Sequence, residues 1–185
     1  MNRTDRNAFS LVEILAVLVI LALLAGVAAY RSHAAARRTA LAETAARVAE
    51  FDRQTRLLAR AHDRPLRVLI DLGAGRLRRE DVLTGREMGA PLALTDGFRI
   101  ARFLFRRETA ETGTVSFRCS SHGLTPTYAL ALEGPDGRKT WLLAAGLGGD
   151  VTVFDDDVEK DSNARDAGKG STGEAKVRAI LDAAI

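Results

Sequence analysis

The sequence predicts an α+β protein: a long N-terminal helix, apolar in its first half and amphipathic in its second, set against an antiparallel β-sheet domain. Three observations carry this reading. An apolar run from Phe9 to Tyr30 holds a single charge, Glu13. Residues 31–62 contain neither Pro nor Gly and are rich in Ala, Leu, Arg and Glu, all strong helix formers. From Leu66 onward the apolar period shortens towards two and Gly-rich turns punctuate it. A chain of 185 residues has room for one such helix and one modest domain.

The apolar run, 22 residues by count from Phe9 to Tyr30, spans about 33 Å as a helix and matches the ~30 Å hydrocarbon core of a bilayer. An ionisable group inside such a segment costs about 2.5–3.5 kcal/mol on insertion scales, so Glu13 calls for a role. A cleaved secretory signal has a shorter apolar region, about 7–15 residues, followed by a small-x-small site. Here the run is longer and continues directly into another helix-forming stretch. A generic signal anchor is the other alternative, and it leaves Glu13 without a purpose. Arg3 and Arg6 are matched by Arg31, Arg37 and Arg38 beyond the run, so charge asymmetry leaves orientation open.

Along residues 31–62, Leu41, Ala45, Val48, Phe51, Thr55 and Leu58 recur at spacings of three or four and form one apolar stripe. Arg47, Glu50, Arg53 and Arg56 fill much of the remainder, and Glu43–Arg47 is a favourable i,i+4 pair worth a few tenths of a kcal/mol. Heptad spacing lasts barely three turns, below what a coiled coil needs, so the stripe is expected to pack on a sheet. Pro65 disfavours helical geometry at Arg64 and ends the helix.

Leu66–Leu72 reads as a strand closed by Gly73-Ala74-Gly75, with Arg76–Arg79 returning as a short partner. Phe98–Phe105 alternates apolar and basic residues, as a half-exposed strand does, and Val115–Cys119 follows. Tyr128–Leu132 and Thr140–Ala145 flank Gly134-Pro135-Asp136-Gly137, a strong hairpin signal. Gly146–Asp150 then turns into Val151–Phe154. About six strands are expected. Residues 155–185 shift to the composition of a solvated linker, in which Val177, Ile180, Leu181 and Ala184 allow a short amphipathic helix; a frayed tail is the alternative.

The abrupt apolar start after a polar leader, with an acid at its fifth position, resembles the N-terminal signal of type IV prepilins and type II secretion pseudopilins. The resemblance implies a pilin-like fold and a subunit processed by prepilin peptidase between Ala8 and Phe9, with N-methylation at Phe9. It assigns Glu13 to assembly, its carboxylate pairing with the free amine of a neighbouring subunit's Phe9. The position before the cut is most often Gly in that family; Ala8 is the smallest alternative. The strand order and turns, from Val115–Phe117 through Ser120-Ser121-His122-Gly123 to Val151–Phe154, are similar to the minor pseudopilin H family (GspH/FimT-like). DNA-binding relatives end in a basic Gly-Arg-x-Arg turn. Here the stretch is Leu147-Gly148-Gly149-Asp150 followed by Asp155-Asp156-Asp157, whose carboxylates repel phosphate.

Read this way, residues 1–8 are a leader, 9–30 a transmembrane helix, 31–62 a stalk packing on the domain, 63–154 a β-rich pseudopilin domain, and 155–185 a polar linker with a short helix. The expected protein is a single-pass inner-membrane subunit with its domain in the periplasm, entering a cell-envelope filament through its N-terminal helix. Its expected partners are the membrane, prepilin peptidase and other pseudopilins or pilins, with no nucleic acid. A minor pilin of a type IV pilus, acting in assembly, adhesion or DNA uptake, is the alternative.

Nothing in the sequence asks for catalysis, a cofactor or a metal. Cys119 stands alone and reads as a buried small hydrophobe. His33, His62 and His122 are scattered, and Ser120-Ser121-His122 reads as a turn, since neighbouring side chains on an extended chain point apart. Asp155-Asp156-Asp157, Glu159 and Asp161 supply oxygens that suit calcium, but lack the glycine of an EF-hand loop.

Overall fold

The computed structural model describes residues 11–94, 97–106, 108–155 and 172–183. It is an α+β protein, a long N-terminal helix followed by antiparallel sheets. The chain divides into two units, residues 1–39 and 40–185, and helix α1 (Leu11–Ala61) contributes residues to both.

Within the second unit α1 buries Leu41, Ala45, Val48, Phe51 and Thr55, while Leu58 is half-buried. The helix ends in a 6→1 hydrogen bond from the Arg64 N–H to the Ala59 carbonyl (3.1 Å). Asp63 takes the left-handed conformation that a C-terminal cap requires, at φ 48°. Short polar side chains tolerate that region better than most, and Pro65 bars any continuation.

Nine strands form among the described residues, where about six were expected, and they make two sheets. The first has the order β3-β2-β1-β6, from β1 (Leu66–Asp71), β2 (Arg76–Asp81), β3 (Leu92–Ala93) and β6 (Thr114–Cys119). The second has the order β5-β4-β7-β8-β9, from β4 (Arg99–Phe105), β5 (Glu108–Ala110), β7 (Tyr128–Glu133), β8 (Lys139–Ala144) and β9 (Val151–Asp155). All pairings are antiparallel. β3 and β5, which no expected segment covers, are two and three residues long, too short to show a period in sequence.

The β7–β8 hairpin closes through Gly134-Pro135-Asp136-Gly137, with the Gly137 N–H on the Gly134 carbonyl (3.0 Å) and Gly137 at φ 78°. In β4 the register against β7 shifts between Ile100 and Arg102. The bulge breaks the simple alternation, so Ile100 and Phe103 both join the core shared with the helix. That core takes Leu41, Val48 and Phe51 from α1, Val68, Ile70, Leu77 and Phe117 from the first sheet, and Leu130, Leu132 and Leu142 from the second.

Helix α2 (Thr172–Ala183) forms in place of a frayed tail. It buries Val177 and Leu181 against Leu104, Ala129, Ala131, Trp141 and Leu143 on the second sheet, and leaves Ile180 exposed. β8 therefore serves two cores, with Leu142 and Ala144 on one face and Trp141 and Leu143 on the other. Ala184 lies outside the described residues.

Candidate functional site

In the first unit, Leu11–Arg31 is one helical stretch long and apolar enough to cross a membrane. Successive helical residues are rotated by about 100°, so Val17, Leu18, Val19, Ile20 and Leu21 between them cover the whole circumference. Each is at least half exposed. A helix apolar all round must be covered by lipid or by other apolar helices. Glu13 lies in its first turn, where a carboxylate is favoured by the helix dipole. Ala8 and Phe9, the other two predicted site residues, lie outside the described residues.

The second unit holds a buried polar cluster around Arg56, one of the charges expected to lie outside the apolar stripe. Arg56 is 3% exposed, not a surface charge. Its Nε donates to Asp52 Oδ2 (2.7 Å), and its other nitrogens donate to the Gly146 carbonyl (2.9 Å), Thr125 Oγ1 (2.6 Å) and the Ala145 carbonyl (3.0 Å). Tyr128 Oη donates to Asp52 Oδ1 (2.8 Å). One ion pair on α1 thus ties the helix to β7 and to the β8–β9 turn. Burial pushes the Tyr128 hydroxyl well above its ordinary range, and the Asp52 carboxylate adds to the effect.

A second buried arginine reaches α1 from the first sheet. Arg79 of β2 donates to Thr55 Oγ1 (2.8 Å) and to the Phe51 carbonyl (3.2 Å), with its guanidinium 3.9 Å from the centre of the Phe51 ring. Its burial lowers its pKa from the ordinary value, and the Asp52 charge offsets part of that. The signal for Asp52 and Arg56 was present: they continue Val48 at steps of four and so fall beside the apolar stripe. The predicted Glu43–Arg47 pair does not form; Arg47 reaches Thr44 Oγ1 (3.3 Å) instead.

Cys119 is fully buried, and burial raises its thiol to about 11, which makes it inert. Ser120-Ser121-His122-Gly123 is a turn, with the Gly123 N–H on the Ser120 carbonyl (2.9 Å). His62 and His122 are both exposed, on different loops. Among the described residues no three His, Cys, Asp or Glu side chains converge on a metal-sized site. Asp155 ends β9, and Asp156, Asp157, Glu159 and Asp161 lie outside the described residues.

Residues 3–29 match the family described as the prokaryotic N-terminal methylation motif. The chain therefore carries a prepilin-type N-terminus, laid over the apolar helix that bears Glu13. Among solved structures it is similar to the minor pseudopilin EpsH from the Type 2 Secretion System of Vibrio cholerae, at 14% identity. That likeness covers 62% of this chain and 96% of the other, with a TM-score of 0.47. No curated protein matches the sequence.

Proposed function

We propose that this chain is a minor pseudopilin of a type II secretion system, a structural subunit of a periplasmic filament and not an enzyme. One observation carries the reading: the methylation motif at residues 3–29 coincides with a helix that is apolar on every side and has Glu13 in its first turn. Such a helix has two habitats, a bilayer and a bundle of like helices, and a filament subunit uses both in turn. Prepilin peptidase cuts between Ala8 and Phe9 on the cytoplasmic side, and the new Phe9 amine is methylated. Before assembly the subunit is a single-pass inner-membrane protein with residues 40–185 in the periplasm.

In the filament Glu13 accepts the charged amine of a neighbour's Phe9. A buried carboxylate is tolerable when so paired, and the pairing fixes the axial register of adjacent subunits. The Gly148-Gly149-Asp150 turn leading into an acidic segment supports the secretion pseudopilus over a DNA-uptake pilus, because carboxylates repel phosphate.

The test is mass spectrometry of the full chain coexpressed with its prepilin peptidase. The expected mature protein begins at Phe9 and is one methyl group heavier than its sequence. An intact Met1, or a mature end elsewhere than Phe9, overturns the reading.

A further inference from the structure

The outer face of the first sheet carries more arginines than carboxylates. Val68, Ile70, Leu77 and Phe117 point to the core, so by alternation Arg67, Leu69 and Asp71 of β1, Arg76, Arg78 and Glu80 of β2, and Ser116 and Arg118 of β6 share the opposite face. Arg76 of β2 lies opposite Asp71 and Arg67 lies opposite Glu80, but on its other side Arg67 is directly opposite Arg118. Like charges so placed destabilise a sheet. Four arginines on this face meet only two carboxylates. Asp71 already accepts the Ala74 N–H (2.9 Å) and Glu80 is 3.6 Å from Arg78. Among the described residues Arg67, Arg76 and Arg118 make no ion pair, and all three are exposed. A shallow groove of about 250 Å³ runs between Leu69, Asp71, Arg76, Arg78 and Thr114.

The sequence holds the complementary charge. Asp155-Asp156-Asp157-Val158-Glu159-Lys160-Asp161 carries five carboxylates against one Lys. Its first residue is fixed in β9, opposite Thr140 of β8 in the second sheet. The inner faces of both sheets contribute to one core, so the arginine face points away from the second sheet. Asp155, which starts the acidic segment, therefore belongs to the sheet across the core from the arginine face.

We propose that the face of β1, β2 and β6 is a docking surface for the acidic segment 155–161 of a second copy of this chain. Arg67 and Arg118 receive carboxylates, and Leu69 gives the groove an apolar floor for Val158. The proposal goes beyond membership in a filament and does not depend on cleavage at Ala8.

The test uses the full chain in detergent with Asp155, Asp156 and Asp157 changed to Asn, titrated with a labelled synthetic peptide of residues 155–161. Binding is expected to fall steeply with salt and to weaken at least tenfold when the receptor also carries Arg67→Glu and Arg118→Glu, two exposed changes that leave the core intact. Absence of binding at low salt, or equal binding of an Asn/Gln version of the peptide, overturns the proposal. So does a duplex oligonucleotide that binds the wild-type chain and loses affinity with the same two arginines. A crosslinking arm fixes the source: chains bearing Ser116→Cys are mixed with chains bearing Asp157→Cys. A covalent dimer of the two is expected; if only an intrachain link forms in a chain carrying both cysteines, the segment serves its own face and the proposal fails.

Discussion

Asp52 and Arg56 form an ion pair one helical turn apart, at 2.7 Å, with side chains 3% and 4% exposed. Neither charge is left to itself. Asp52 takes a second hydrogen bond from Tyr128, and Arg56 saturates two carbonyls and a hydroxyl from the segments that flank the second sheet. A buried pair of this kind contributes little against a well-packed apolar replacement, but breaking it from one side strands a charge.

Arg56→Ala is accordingly expected to cost about 3–5 kcal/mol, since it leaves Asp52 buried and takes the donor from the Gly146 carbonyl and Thr125 Oγ1, while the Ala145 carbonyl keeps the Gly149 N–H. Chemical unfolding of the full chain in detergent measures it. A loss below 1 kcal/mol would mean that water enters and replaces the guanidinium.

Gly146→Ala tests the same junction from the loop side. A Cβ there collides with the Thr125 carbonyl oxygen and meets the Thr127 nitrogen at 2.9 Å, both backbone atoms that cannot swing aside. Overpacking of this kind costs about 1–3 kcal/mol. Gly85→Ala is a useful contrast: nothing lies within 4 Å of its Cβ, so its cost comes from the backbone at φ 67° alone.

Stability is expected to fall on the alkaline side, beginning near pH 9. The folded state holds the Cys119 proton up to about 11, whereas the unfolded thiol releases it near 9. Unfolding therefore releases a proton in that window and is favoured as pH rises; the contribution is complete below 9 and lost by about 11. Tyr128 extends the trend above pH 10, because its folded hydroxyl is shifted in the same direction. Cys119→Ala should flatten the first part of the curve, and Tyr128→Phe the second. Unfolding at a series of pH values reads both.

Leu181→Ala removes part of the apolar face that holds α2 over Trp141 and is expected to cost about 2–5 kcal/mol. Trp141 is the only tryptophan in the chain and is 2% exposed. Val177→Asp, which places a charge in the same contact, should shift its fluorescence emission to longer wavelength by releasing α2. An unchanged emission spectrum would show that α2 does not cover Trp141.

On the proposed role as a filament subunit, Glu13→Ala should leave the proposed cleavage at Ala8–Phe9 intact yet impair incorporation into the filament. Pull-down of assembled filaments against total processed subunit measures the ratio. Normal incorporation would remove Glu13 from the assembly contact.

The sequence alone determined the features that depend on local pattern. The uninterrupted apolar run with its one acid, the stripe from Leu41 to Thr55, the stop at Pro65 and the Gly134–Gly137 hairpin each reside in a few neighbouring residues, where composition and period act directly. Strand pairing is not local. That β1 sits between β2 and β6, and that β7 and β8 form the middle of a second sheet, depends on contacts between segments far apart in the chain. So does the bulge at Ile100–Arg102, which sends Ile100 and Phe103 to one core. The tertiary structure alone decided the fate of Arg56. A charge beside an apolar stripe is normally solvated, and only the arrival of Thr125, Tyr128 and the Ala145–Gly146 carbonyls from the other end of the chain makes its burial affordable. The opposed arginines Arg67 and Arg118 belong to the same class, since no reading of period reveals which residue a strand will face across its ladder.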